Sequence, residues 1–249
     1  MTTQPRRACR LFIFDLDGTL IDSRADLVTS LNLALVKLGH ITLSTARIGS
    51  FVGEGVNTLI RRALHAVTGQ EPDAASIKAA VQVYMDQYAD HLLEKTYLRD
   101  NAVKMLDALA GAQCAVVTNK PEKFSKIILE GLGIADRFAM ILGGDSVEHP
   151  KPAPEALFKA IEFCRATTAE TVMIGDSLTD INAGKAAGTM TCAILGGFRP
   201  DEELLTSGSD FLISDLFQLT DCFEPVRTPE QGNIRSGSQR AGVEMAGED

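Results

Sequence analysis

The sequence predicts an α/β protein: a doubly wound, Rossmann-like core on a parallel sheet, with an all-helical cap inserted after the first strand. Three observations carry that expectation. Short β-rich runs recur at Leu11–Phe14, Cys114–Val117, Met140–Leu142, Thr171–Ile174, Thr191–Leu195 and Phe211–Ile213, each followed by a helical pattern. These runs are continuously apolar rather than alternating, as strands covered on both faces must be. Between the first and second runs lie roughly 100 residues, far beyond an ordinary strand–helix crossover, and that interval is itself helical in pattern.

Each element has a local reason. Leu11–Phe14 runs straight into Asp15, Asp17 follows two residues on, and Gly18 lets the chain turn sharply. In the interval, Leu27, Leu31, Leu35 and Leu38 mark one helical face until Gly39. A second face, Leu59, Ile60, Ala63, Leu64 and Val67, stops at Gly69, and Ile77, Val81, Tyr84, Tyr88 and Leu92 mark a third. The expected division is a core of residues 1–22 and 98–223 and a cap of residues 23–97. The stretch 224–249 is rich in Gly, Ser, Gln, Arg and Glu without a period, and is expected to be disordered.

Ligands of an open α/β sheet collect beyond the carboxyl ends of its strands. Asp15 stands at the first such end, and Thr118 and Asn119 at the second, in "VVTNKP". Asp176 follows the strand Thr171–Ile174 in "VMIGDSLTD", with Asp180 four residues on. Between them "HPKPAPE" sets Lys151 between two prolines, just before a helix beginning near Glu155. Singly, each residue has an ordinary account as a turn former, a helix cap or a solvated lysine. Their joint placement at successive strand ends points to one site. A calcium-loop reading of the first stretch fails because Leu20 stands where that loop needs glycine, and "GEGVNT" lacks the third glycine and the leading strand of a dinucleotide fingerprint.

Bulk properties narrow the partners. A net charge of -9 over 249 residues disfavours nucleic acid and anionic membranes, which need basic clusters. Five scattered cysteines without a C-x-x-C pair argue against a disulfide framework or structural zinc, and for reduced thiols in a cytoplasm. The apolar run after Arg6 and Arg7 is too short for a signal peptide, and no stretch is long enough to span a bilayer. The expectation is a soluble, cytoplasmic protein acting on a small ligand.

"DLDGTLIDS", "TNKP", "KPAP" and "GDSLTD" resemble the four motifs of the haloacid-dehalogenase-like hydrolase superfamily, over Leu11 to about Leu219. The helical insert resembles that superfamily's small α-helical cap. Within the superfamily, "RIGSFVGEGV" and "AVVTNKP" are most similar to phosphoglycolate phosphatases. Two departures bear on cap movement and substrate choice. Ala25 replaces a frequent hinge proline, and "LRDNAV" replaces a frequent Pro-Gly turn.

The resemblance implies hydrolysis of a small phosphorylated metabolite, 2-phosphoglycolate preferred, through an aspartyl-phosphate. It makes Asp15 the nucleophile and Asp17 the acid that protonates the leaving alkoxide and then deprotonates water. Asp15 and Asp176 bring about two negative charges and a phosphate nearly two more, against one positive from Lys151, so a hard divalent cation such as Mg²⁺ is expected. The carried-over ligands are the side chains of Asp15 and Asp176 and the backbone carbonyl of Asp17, with Asp180 behind them. Thr118, Asn119 and Lys151 would hold the phosphoryl oxygens. Dehalogenase members typically lack the second aspartate, because a halide needs no proton, so Asp17 favours phosphoryl transfer. The rivals are a sugar-phosphate phosphatase or mutase of the same superfamily, and a phospho-accepting signalling module, which has no alcohol to release. Arg61 and Arg62, or the backbone of Gly53 and Gly55, are candidates to meet a substrate carboxylate.

Overall fold

Residues 5–227 are described in this computed structural model. Strands β1 (Arg7–Cys9), β2 (Leu11–Phe14) and β3 (Ile21–Asp22) lead into four helices, α1 (Arg24–Lys37), α2 (Thr45–Gly49), α3 (Val56–Thr68) and α4 (Ala74–Asp90). After β4 (Tyr97–Leu98) strand and helix alternate: α5 (Ala102–Ala108), β5 (Gln113–Val117), α6 (Glu122–Gly131), β6 (Met140–Leu142), α7 (Glu155–Phe163) and β7 (Thr171–Gly175). The series closes with α8 (Leu178–Ala187), β8 (Met190–Ile194), α9 (Asp201–Leu205), β9 (Phe211–Ile213), α10 (Leu219–Cys222) and β10 (Phe223–Pro225).

The six apolar runs form one parallel sheet in the order β6-β5-β2-β7-β8-β9. From β2 the chain winds through β5 to the β6 edge, returns to β7 on the other side of β2, and winds outward to β9. That reversal opens a crevice at the carboxyl ends of β2 and β7. The ladder holds Phe14 opposite Ile174, and the Asp15 N–H donates to the Ile174 carbonyl at 2.9 Å, so pairing reaches the first catalytic candidate. Alternate residues of β2 serve two cores. Phe12 and Phe14 pack in the larger cluster, with helices α1, α3 and α4, and Leu11 and Ile13 in the smaller one beneath α7 and α8. Both faces being covered, no polar alternation survives in the sequence. Each such side chain stabilises the sheet by about 1.5–3 kcal/mol.

The helical segment is built as its periodicity predicts. Leu31 and Leu35 of α1, Leu59 and Ala63 of α3, and Ala80, Tyr84 and Tyr88 of α4 are all buried. Gly39 and Gly69 end their helices at φ 82° and 72°, where a side chain would strain the backbone. Its two connections to the sheet are joined twice. β3 pairs with β4, and buried Asp26 accepts from the Lys95 and Thr96 N–H groups and the Thr96 hydroxyl.

Three features were not legible in the sequence. Helix α2 has five residues, too few for a period, and starts on the Ser44 cap. The β3–β4 pair has two residues a side. The third is a correction to the expected tail: Glu224 and Pro225 lie in β10, paired with β1, where Phe223 is buried edge-on to Phe12 at 5.8 Å. Long-range pairing, not local pattern, orders those residues. The remainder of that stretch, 228–249, lies outside the described residues.

Candidate active site

The crevice between β2 and β7 gathers the strand-end residues. Asp15 leaves β2, and its Oδ1 accepts from Lys151 Nζ at 2.8 Å. The same ammonium reaches Asp180 Oδ1 at 2.6 Å. Asp180 sits in the first turn of α8, where its other oxygen caps Ser177 through the backbone N–H at 3.1 Å and the hydroxyl at 2.6 Å. Asp176 accepts from the Phe198 N–H at 2.6 Å and the Thr19 hydroxyl at 3.3 Å. Asp15, Asp176 and Asp180 offer oxygens within 4.8 Å of one another, all from buried residues. Gly18 makes this approach possible: at φ 83°, any Cβ there would meet the Asp176 carboxylate.

Crowded buried carboxylates resist ionisation. Burial, reinforced by Asp15 and Asp180, pushes Asp176 up to about 8 against the Phe198 N–H and Arg99. Burial also raises Asp15, to about 6, with Lys151 opposing and Asp180 and Asp17 adding. Burial disfavours charge on Lys151, but Asp15 and Asp180 outweigh it and hold the ammonium above its ordinary pKa. One buried cation among three carboxylates leaves the cluster short of positive charge. Hard oxygen donors at this spacing suit Mg²⁺.

Asp17 points the other way. Its oxygens accept from Lys120 Nζ at 2.8 and 3.1 Å and from the Ser23 hydroxyl. Thus two acids two residues apart take different partners, Asp15 in the carboxylate cluster and Asp17 with Lys120, while both line a cavity of about 50 Å³ beside α1, α3 and α4. Asp15, Asp17, Thr118, Lys120, Tyr84 and Tyr88 are among its lining residues. Thr118 is buried at the end of β5, its hydroxyl accepting from the Lys120 N–H at 3.2 Å. Asn119, expected to hold a phosphoryl oxygen, stands beside Thr118 with its side-chain amide engaged within the protein. Its amide nitrogen donates to the Gly53 carbonyl of the cap at 3.1 Å and to the Lys151 carbonyl at 2.9 Å. Its side-chain oxygen is buried without a partner among the described residues.

Sequence reasoning passed over Lys120, which lies inside the quoted "TNKP". A lysine after a strand end reads as solvated, but this one is buried, with the Tyr88 ring 4.6 Å from its ammonium and the Asp17 carboxylate at 2.8 Å. Arg61 and Arg62 do not line the cavity: Arg61 pairs with Glu71 at 3.0 Å and Arg62 with Glu54 at 2.7 Å. Arg99 was also unforeseen. It donates to the Gly18 carbonyl and, at 2.9 Å, to the Leu195 carbonyl, bridging the loop after β2 to the end of β8.

The haloacid dehalogenase-like hydrolase family model matches residues 12–194. A phosphoglycolate phosphatase from Neisseria meningitidis is 36% identical over 224 residues, covering 88% of this chain and 95% of that protein. One from Colwellia psychrerythraea is 35% identical, with 84% and 94% covered. Among solved structures, a predicted phosphoglycolate phosphatase from Haemophilus somnus superposes with a TM-score of 0.80 at 29% identity, covering 85% of this chain and 96% of that one.

Proposed function

The chain belongs to the haloacid dehalogenase-like hydrolase family and is a phosphoric monoester hydrolase, and from that premise we propose that it cleaves 2-phosphoglycolate through an aspartyl-phosphate on Asp15. The observation that carries the reading is the placement of Asp15 and Asp17 on one cavity with different partners. Asp15 also lies among the charges that would receive a phosphoryl group, and Asp17, held by Lys120 and Ser23, would face the leaving group.

Asp15 attacks phosphorus, the ester P–O bond breaks, and Asp17 delivers its proton to the departing alkoxide. Asp17, now a carboxylate, takes a proton from water as that water attacks the phosphorus of the aspartyl-phosphate. Inorganic phosphate leaves and Asp15 is restored. Lys151 and the Thr118 hydroxyl would hold phosphoryl oxygens through the transfer. Asn119 orients Lys151 by holding its carbonyl, and ties the cap loop at Gly53 to the core. The segment 23–97 then acts as a lid that excludes water from the reaction.

The buried carboxylates fit Mg²⁺, with Asp15, Asp176 and the Asp17 backbone carbonyl as the proposed ligands and Asp180 supporting them through Ser177 and Lys151. When bound, the ion would neutralise charge on the phosphoryl group.

The small cavity favours a small leaving group. At about 50 Å³ it has room for roughly four waters, so phosphoglycolate should exceed hexose phosphates by at least about tenfold in kcat/KM. Asp15→Asn should lower turnover by at least about a thousandfold while leaving circular dichroism and melting intact. A panel won by hexose phosphates would overturn the substrate, and a folded, active Asp15→Asn would overturn the mechanism.

A further inference from the structure

Phosphoglycolate carries a carboxylate one carbon from its ester oxygen. A protein of net charge -9 must meet that anion with a cation placed locally. Lys120 is the one cationic side chain lining the cavity among the described residues. Lys151 is bound to Asp15 and Asp180, and the arginines of α3 pair with glutamates outside the cavity.

Three features place Lys120 for this task. Its ammonium has three donors, and its hydrogen bonds among the described residues go to a single group, the Asp17 carboxylate. Its flank is the Tyr88 ring, whose face holds a cation without neutralising it. Finally, it lies 2.8 Å from Asp17 Oδ2, the group assigned to protonate the ester oxygen. A leaving oxygen within hydrogen-bond reach of Asp17 therefore brings a carboxylate one carbon away to the same ammonium. Apolar walls from Leu27, Val52, Val56 and Leu59 strengthen any charge pairing there.

We propose that Lys120 is the specificity-determining residue of this enzyme, its ammonium binding the carboxylate of the leaving group beside Asp17. The inference rests on the substrate reading above and adds the residue that enforces it. The rival role is purely positional, with Lys120 only holding Asp17 in place.

The test compares 2-phosphoglycolate with 2-hydroxyethyl phosphate, which has the same length but an alcohol in place of the carboxylate. Lys120→Met disturbs Asp17 as well, so both rates fall, and the ratio of the two kcat/KM values is the readout. A charge-assisted hydrogen bond predicts a wild-type preference for phosphoglycolate of roughly 10–100-fold, collapsing to near unity in Lys120→Met, with the loss carried by KM for phosphoglycolate. Lys120→Gln, which keeps a hydrogen-bonding group beside Asp17, carries the same comparison should Lys120→Met not fold. A wild-type preference that survives either folded variant overturns the inference and leaves the substrate reading standing. A wild-type enzyme without preference overturns the substrate reading, and the inference falls with it.

Discussion

Burial and mutual repulsion of Asp15, Asp176 and Asp180 make a quantitative prediction about Mg²⁺ and protons. In the metal-free protein Asp176 titrates near 8 and Asp15 near 6. At pH 7 Asp176 is then mostly protonated, and an ion that uses its carboxylate must expel that proton. Between pH 8 and pH 6 the apparent affinity should weaken by about tenfold per unit, about 100-fold in all, or roughly 2.7 kcal/mol. Below pH 6 the slope should steepen toward two protons as Asp15 also must ionise, and above pH 8 it should flatten. Isothermal titration of the metal-free enzyme in buffers of different ionisation heat reads both affinity and proton release. Asp176→Asn should bind weakly and release no proton between pH 7 and pH 8. Wild-type affinity that is flat from pH 6.5 to pH 7.5, without proton release, would refute the assignment of Asp176 to the metal.

The same shifts bear on stability. The folded metal-free state keeps protons on Asp15 and Asp176 that the unfolded chain loses above about 4, so its stability should fall as pH rises from about 4 to about 8. Denaturant melts across that range check the sign, and a rise would contradict it. Gly18→Ala puts a methyl against the Asp176 carboxylate at a positive φ; a loss of about 1–3 kcal/mol, with weaker Mg²⁺ binding, is expected in urea melts and metal titrations. Ending the chain at Phe223 removes the β10 residues Glu224 and Pro225 and the Val226 N–H bond to the Cys9 carbonyl, 2.8 Å. Its melting temperature should fall by several degrees relative to a chain ending at Arg227, and equal melting would show that β10 contributes nothing.

What was legible in the sequence follows from the range of the interactions involved. Strands such as Leu11–Phe14 and Thr171–Gly175 are written locally, because burial on both faces requires an unbroken apolar run. The cap helices are written locally too, through a 3.6-residue period and the glycines that end it. The strand ends then point to Asp15 and Asp176, since a doubly wound sheet sends its carboxyl ends to one crevice, and Lys151 is added by its motif before α7. What pattern cannot carry is the environment that a distant element imposes. Asp180 stood at four residues from Asp176 in the sequence, but its salt bridge to Lys151 and its cap on Ser177 exist only once α8 is docked. Lys120 shows the same limit more sharply. Nothing within ten residues of it explains why its ammonium is buried; Asp17 is 103 positions away, and Tyr88 belongs to a different layer of the fold. A local reading places cations on the cap arginines because they are near flexible glycines, whereas packing turns those arginines to Glu54 and Glu71. The cavity's charge therefore comes from the loops after β2 and β5 and its aromatic wall from α4. Closing the two together is what would join phosphoryl transfer to recognition of the leaving group.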